Sequence, residues 1–159
     1  MKDVAAPASG PSVRCVIIPL EGGAVLLPNT AIAEVVGYRE PKPISPAPSW
    51  CLGSIQWRGV SVPLISFETV VGGLLGEIGH RARIILIYGL GEKRGKVPYY
   101  GLLAQGIPRL SRVVAEGIQP SPDGGVEHEA IAASVVVDGV AAWIPNMDVL
   151  TALMEEINP

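Results

Sequence analysis

The chain is short of charge: only 17% of its 159 residues are Asp, Glu, Lys or Arg, where soluble domains average about a quarter. With a net charge of −3 it does not have the clustered Lys and Arg that neutralise phosphates, which excludes a nucleic-acid footprint. Its densest basic cluster, Lys93, Arg94 and Lys96 in GLGEKRGK, reads as a solvated turn between two strands. Long apolar runs are missing too. IILIY (84–88) and ASVVV (133–137) fall far below the roughly 20 residues that a helix needs to span a bilayer, so direct membrane insertion is not expected. The start, MKDVAAPASGPS, has no apolar h-region, and the expected compartment is cytoplasmic.

Cysteine and histidine are equally scarce. Cys15 and Cys51 stand far apart in apolar surroundings and read as buried, reduced thiols rather than a disulfide framework. His80 and His128 have no metal-ligand companion at a usual spacing. In Glu127-His128-Glu129 adjacent side chains diverge, so neither a metal nor any other cofactor is expected. Ser54 in GSIQ is no nucleophile elbow. The glycines of GGLLGEIGH are not followed by Gly-Lys-Ser/Thr, as a phosphate loop requires. Glu34 has no obvious second carboxylate with which to share acid–base work. No constellation supports an enzyme.

What the chain does have is apolar residues, 48% of the total, in short runs set off by turn residues. A chain with so few charges is expected to leave apolar surface for partners. RCVIIPL (14–20) and AVLLP (24–28) flank Glu21-Gly22-Gly23, a hairpin signal. RIILIYG (83–89) and VPYYGLLA (97–104) form a second hairpin across GEKRGK. ASVVVDGVAAWIP forms a third, turning at Asp138-Gly139, a strong short-range signal. In NTAIAEVVGY, Asn29 or Thr30 can cap a short helical turn that places Ile32, Val35 and Val36 on one face and ends at Gly37. REPKPISPAPS, with its four prolines, must be an extended connector. VSVPLI (60–65) alternates as a strand, with Pro63 suggesting an edge or a bulge. ETVVGGLLGEIGH starts as a helical turn and becomes a glycine-rich loop. NMDVLTALMEEI has Asn146 as a cap and an apolar stripe of Val149, Leu150, Leu153, Met154 and Ile157. Residues 1–12 read as a flexible tail and 13–159 as the folded part, an all-β chain of small barrels.

Within WCLGSIQWRGVSVPLI (50–65) Arg58 is the one charge. Its stem can lie along Trp57 with its head in solvent or on Glu34, or its guanidinium can anchor a partner at the rim of an apolar groove. On this reading Gly59 keeps the backbone bare beside it, and a side chain at Gly59 would enter a crowded strand junction.

The block LGSIQWRGVSVPLISF resembles the signature of CheW-like domains, through Gly53, Ile55, Trp57-Arg58-Gly59, Val60, Val62, Pro63 and Ile65. AIAEVVGY matches an upstream segment of that family through Ile32, Glu34 and Val35, and ISPAPSW (44–50) matches its connector. YGLLAQGIPRL (100–110), IQPSP (118–122) and IAASVVVDGVAAWIPNMDVL (131–150) match later segments in the right order. Three acidic positions of the family pattern are neutral here, at Ser66, Gln105 and Pro145-Asn146, as in divergent adaptors of systems that control type IV pili. The resemblance implies two five-stranded SH3-like β-barrel subdomains with a short C-terminal helix. It implies a non-catalytic adaptor, recruited to membrane receptor arrays, that couples a chemoreceptor cytoplasmic tip to a histidine kinase regulatory domain. It implies a receptor-binding groove at Ile32, Glu34, Arg58, Gly59 and Val60, with Gly53, Trp57 and Pro63 as structural residues. It also implies a kinase contact on the other subdomain, around the strands of residues 83–104. The alternatives are a small-ligand or peptide-binding β-barrel outside chemosensing, an enzyme using Glu34 or His128, and a self-assembling scaffold.

Overall fold

Because strand side chains alternate between two faces, a strand with apolar residues on both faces must be covered on both. That requirement explains the architecture. The computed structural model describes residues 11–89 and 98–157; most of the expected tail and the basic turn GEKRGK lie outside these. Among the described residues eleven strands form two sheets. One is five-stranded, in the order β3-β6-β7-β5-β4, where β3 is Ile32–Gly37, β4 Cys51–Trp57, β5 Val60–Ile65, β6 Arg83–Tyr88 and β7 Tyr99–Ala104. The other runs β8-β1-β2-β11-β10-β9, from β1 (Ser12–Leu20), β2 (Gly23–Pro28), β8 (Arg109–Val114), β9 (Ile118–Pro120), β10 (Ile131–Val137) and β11 (Val140–Pro145). Each sheet curls into a barrel, as the resemblance implied; the second has five longer strands and the three-residue β9.

Three apolar clusters fill this frame. Ile84, Leu86, Leu103, Val62 and Leu64 fill the five-stranded barrel. Cys15, Ile17, Ala24, Leu26 and Val137 fill the other. The alternate residues of the same strands, Val16, Ile18, Val25 and Leu27 from one sheet and Ile85, Ile87, Tyr100 and Leu102 from the other, meet in a shared core between the barrels. Two short helices close it. In α1 (Phe67–Val70) Ser66 Oγ accepts from Thr69 N, and in α2 (Met147–Met154) Asn146 Oδ1 accepts from Val149 N at 3.1 Å. Buried Glu68 ties α1 to the other sheet, its Oε2 accepting from Glu21 N at 2.9 Å.

All three expected hairpins are present. Several local expectations are corrected. After a single 3-10 turn at Asn29–Ala31, residues 32–37 form a strand and not a helical turn. Pairing with β6 overrides weak local helix signals, and β-branched residues suit a strand. Ser12, assigned to the tail, already belongs to β1. Strand β8 went unread because RLSRVV has little apolar alternation. Pro63 lies on neither an edge strand nor the bulge. Strand β5 pairs with β4 and with β7, and the β4 irregularity falls between Cys51 and Gly53. Proline is tolerated there because the β7 pairing begins only at Leu64. Counted from the two-residue turn, Ser54↔Pro63 is also a pair without ladder hydrogen bonds.

Tyr100 lies fully buried in the shared core, its hydroxyl donating to Met147 Sδ at 3.9 Å. Burial pushes this phenol well above its usual range, against a smaller opposing effect of a hydrogen bond with Thr151. The folded chain therefore keeps a proton that the unfolded chain releases above about pH 10. The Tyr100 contribution to stability is expected to be independent of pH below that value and to fall above it, by up to about 1.4 kcal/mol per pH unit. Urea melts between pH 8 and 11, with Tyr100→Phe as the control without this slope, measure the effect.

Candidate binding site

The strand pair β4–β5 ends in a two-residue turn, with Trp57 paired to Val60 and both central residues at positive φ, Arg58 at 50° and Gly59 at 78°. This is the geometry of the tight hairpin turns whose twist matches the flanking strands. Nothing lies within 4 Å of a Cβ built on Gly59. The crowded junction expected there is absent, and glycine is favoured by its φ alone. The crowding is at Gly53 instead, where an added Cβ would press on the Lys42 backbone.

The turn places Arg58 at the surface, its side chain 73% exposed. The guanidinium carbon sits 4.9 Å from the centre of the Trp57 ring, and Arg58 Nη2 reaches Glu34 Oε1 at 3.3 Å. Trp57 is itself buried, and its indole Nε1 donates to the same Glu34 oxygen at 3.0 Å. Glu34 therefore satisfies a buried donor while it orients an exposed cation. Strands β3 and β4 are the two edges of the five-stranded sheet, so this contact is made where the barrel closes. The guanidinium lies over Trp57 and is drawn to Glu34, and most of the side chain still faces solvent. An exposed pair of this kind adds about 0–1 kcal/mol to stability.

Around this cluster Ile32 is half-buried and packs toward the shared core, whereas Val35 and Val60 are exposed. Tyr99 and Tyr88, which the sequence reading missed, extend the cluster. Tyr99 meets Trp57 edge to face at 4.8 Å, and Tyr88 lies 5.7 Å from Tyr99. Their signal was the aromatic pair closing the β6–β7 hairpin, Tyr88↔Tyr99.

The remaining candidates are dispersed. His128 Nδ1 accepts from Ala130 N at 3.0 Å, and among the described residues no group of three or more His, Cys, Asp or Glu is placed to hold a metal. Both cysteines are free thiols; Cys15 is buried and Cys51 partly so, and burial raises both above the ordinary thiol range. Among the described residues no helix is long and apolar enough to cross a membrane. A separate apolar groove of about 410 Å³ opens on the six-stranded sheet, lined by Val13, Cys15, Leu26, Pro28, Val113 and Ile144 among others.

Two barrels sharing a core, with an exposed arginine held over a tryptophan at the closure of one of them, define a two-barrel β protein with a polar contact point on its surface. The chain belongs to the CheW-like domain family, whose model matches residues 14–154. It is 30% identical over 99 residues to the chemotaxis protein CheW of Rhizobium meliloti (strain 1021), a match covering 62% of this chain and 60% of that protein's length. Its fold is similar to that of the scaffolding protein TtCheW from Thermoanaerobacter tengcongensis, with a TM-score of 0.72 and 20% identity, over 87% of this chain and 91% of that one.

One implication of the resemblance does not survive the topology. Strands β6 and β7 belong to the same sheet as Glu34, and Arg58 lies in the turn between two strands of that sheet. A kinase contact around them would therefore lie on the same subdomain as the arginine, not on the other.

Proposed function

We propose that this protein is a non-catalytic adaptor of a chemotaxis-type array, docking a helical chemoreceptor tip at the Trp57–Arg58 turn and joining it to a histidine kinase regulatory domain. The observation that carries the reading is the held arginine. Arg58 is exposed, yet its stacking on Trp57 and its bond to Glu34 restrict it before any partner arrives, which lowers the ordering cost of binding. The exposed Val60, paired with Trp57 across the turn, supplies apolar contact for a helix laid across it. An adaptor of this kind works in the cytoplasm and is recruited to the membrane by its receptors.

The neutral positions Ser66 and Asn146 carry no argument for a pilus-type array. Each caps a helix, a role that aspartate fills equally well. Ser66 is also fully buried, out of reach of a partner.

The test is a titration of the chain with a receptor-tip fragment and, separately, with a kinase regulatory domain. Arg58→Ala is expected to cost less than about 1 kcal/mol of stability while weakening the tip complex by about 1–3 kcal/mol and leaving the kinase complex unchanged. A variant that unfolds would make Arg58 structural and remove the assignment. The second reading, a module for a peptide or small apolar ligand, is favoured by the groove on the six-stranded sheet. It predicts that the chain ignores both signalling partners and that Val13→Asp abolishes ligand binding.

A further inference from the structure

We infer that a cavity beside α1 is a seat for an arginine side chain presented by a protein partner. The cavity, of about 280 Å³, opens between the β1–β2 turn and the loop after α1. It is lined by Glu21, Glu68, Val71, Leu74, Val126 and Trp143 among others, and its only charged lining residues are the two glutamates. Glu68 is 3% exposed and is fixed in place, Oε2 accepting from Glu21 N at 2.9 Å and Oε1 from Ser66 Oγ at 3.1 Å. Both donors are neutral, so its negative charge is held but not cancelled. Glu21 stands on the exposed turn, and its carboxylate lies over Gly76, where an added Cβ would press on it.

Charge, shape and rim select the occupant. Two carboxylates at one apolar cavity are complementary to a cation. Among the described residues no three His, Cys, Asp or Glu are grouped to hold a metal ion, so an organic cation fits better. Trp143 is half-buried, packs its ring against Phe67 at 5.7 Å and also lines the cavity. A flat guanidinium stacks on an indole, whereas a compact and strongly hydrated ammonium gains less there. Its five N–H groups can serve Glu21 and Glu68 together, since a carboxylate oxygen accepts more than one hydrogen bond, while its stem lies along Val71. The rim is apolar: Leu74 is 88% exposed and Val126 47%. Free arginine offers nothing to these side chains, but apolar residues flanking an arginine in a partner chain would cover them. The seat uses none of Glu34, Trp57 and Arg58 and goes beyond the adaptor reading.

The experiment follows the indole N–H resonances of the ¹⁵N-labelled full chain, with that of Trp143 assigned from Trp143→Phe. The probe is the blocked tripeptide acetyl-Leu-Arg-Leu-amide, compared with its citrulline and lysine counterparts and with free L-arginine. The arginine peptide is expected to shift the Trp143 resonance and to leave those of Trp50 and Trp57 in place. The citrulline peptide, equal in shape but neutral, should bind at least about tenfold more weakly, the size of one lost hydrogen bond to a charged group. The lysine peptide should bind about threefold more weakly or worse. Glu21→Gln, an exposed change that keeps the backbone bond to Glu68, should weaken the arginine peptide about tenfold. Leu74→Ser should weaken the peptide while leaving free arginine unaffected. Equal binding of the citrulline or lysine peptide, no effect of Glu21→Gln, or shifts at Trp57 instead of Trp143 would overturn the arginine seat. If free arginine binds as tightly as the peptide and Leu74→Ser changes neither, the protein partner is overturned as its source. None of these results depends on whether the chain binds a receptor tip, so the adaptor reading stands or falls separately.

Discussion

Phe67→Ala is expected to lower the unfolding free energy by about 3–5 kcal/mol, the usual cost of emptying a buried phenylalanine site. Phe67 is the chain's only phenylalanine, is fully buried and opens α1 at the end of β5. Its ring lies 5.7 Å from that of Trp143 on β11, tilted by 46°, so it touches the sheet to which it does not belong. Within the shared core it packs among Ile18, Leu27, Tyr100 and Leu102, residues drawn from both barrels. The substitution therefore strikes the joint between them. At about 2–4 °C per kcal/mol for a chain of this size, the melting temperature should fall by about 10 °C. Urea unfolding provides the measurement, and a loss below about 1.5 kcal/mol would show that the barrels are joined by something other than this core. Phe67→Leu, which refills most of the volume, should recover more than half of the loss.

Gly53→Val carries the second large effect. Gly53 has φ +136°, outside the range open to a valine, and it sits at the irregularity in β4. There Lys42 and Ser54 exchange two backbone hydrogen bonds, both of 2.8 Å. A Cβ would fall against Lys42 O, 2.9 Å from Lys42 C and 3.0 Å from Pro41 Cβ. These neighbours are backbone and a proline ring, which cannot swing aside. Backbone strain of about 1–3 kcal/mol adds to overpacking of about 1–3 kcal/mol, for a total near 4 kcal/mol. Gly59→Val is the matched control. It has a comparable left-handed requirement but open space around it, so it should cost only about 1–2 kcal/mol. Equal losses in the two variants would rule out the Lys42 contact as the cause. The consequence for binding follows from the chain path, since β4 runs from Gly53 to Trp57 and delivers Arg58 to the surface.

The sequence determined the local pieces. Glycine placement fixed the turns at Glu21-Gly22 and Asp138-Gly139, and asparagine at position 146 fixed the start of the last helix. These depend on a few neighbouring residues and on backbone conformations that few side chains adopt. The order of motifs around Trp57-Arg58-Gly59 was legible for the same reason and led to the family. The shortage of charge was also legible, but its main cause was not. VIIPL and IILI read as core without alternation because each strand is covered twice, by its own barrel interior and by the shared core. Less of the apolar content is therefore left exposed for partners than composition implied.

Only the tertiary structure decided that residues 32–37 are a strand, since pairing with β6 supplies what local propensity does not. Only it placed Pro63 inside a sheet, at the point where one neighbour has not yet begun to pair. And only barrel closure joins Glu34 to Trp57 and Arg58, 23 and 24 residues away. A contact between the two edge strands of one sheet depends on how far that sheet curls, and that is set by side-chain packing across the whole barrel.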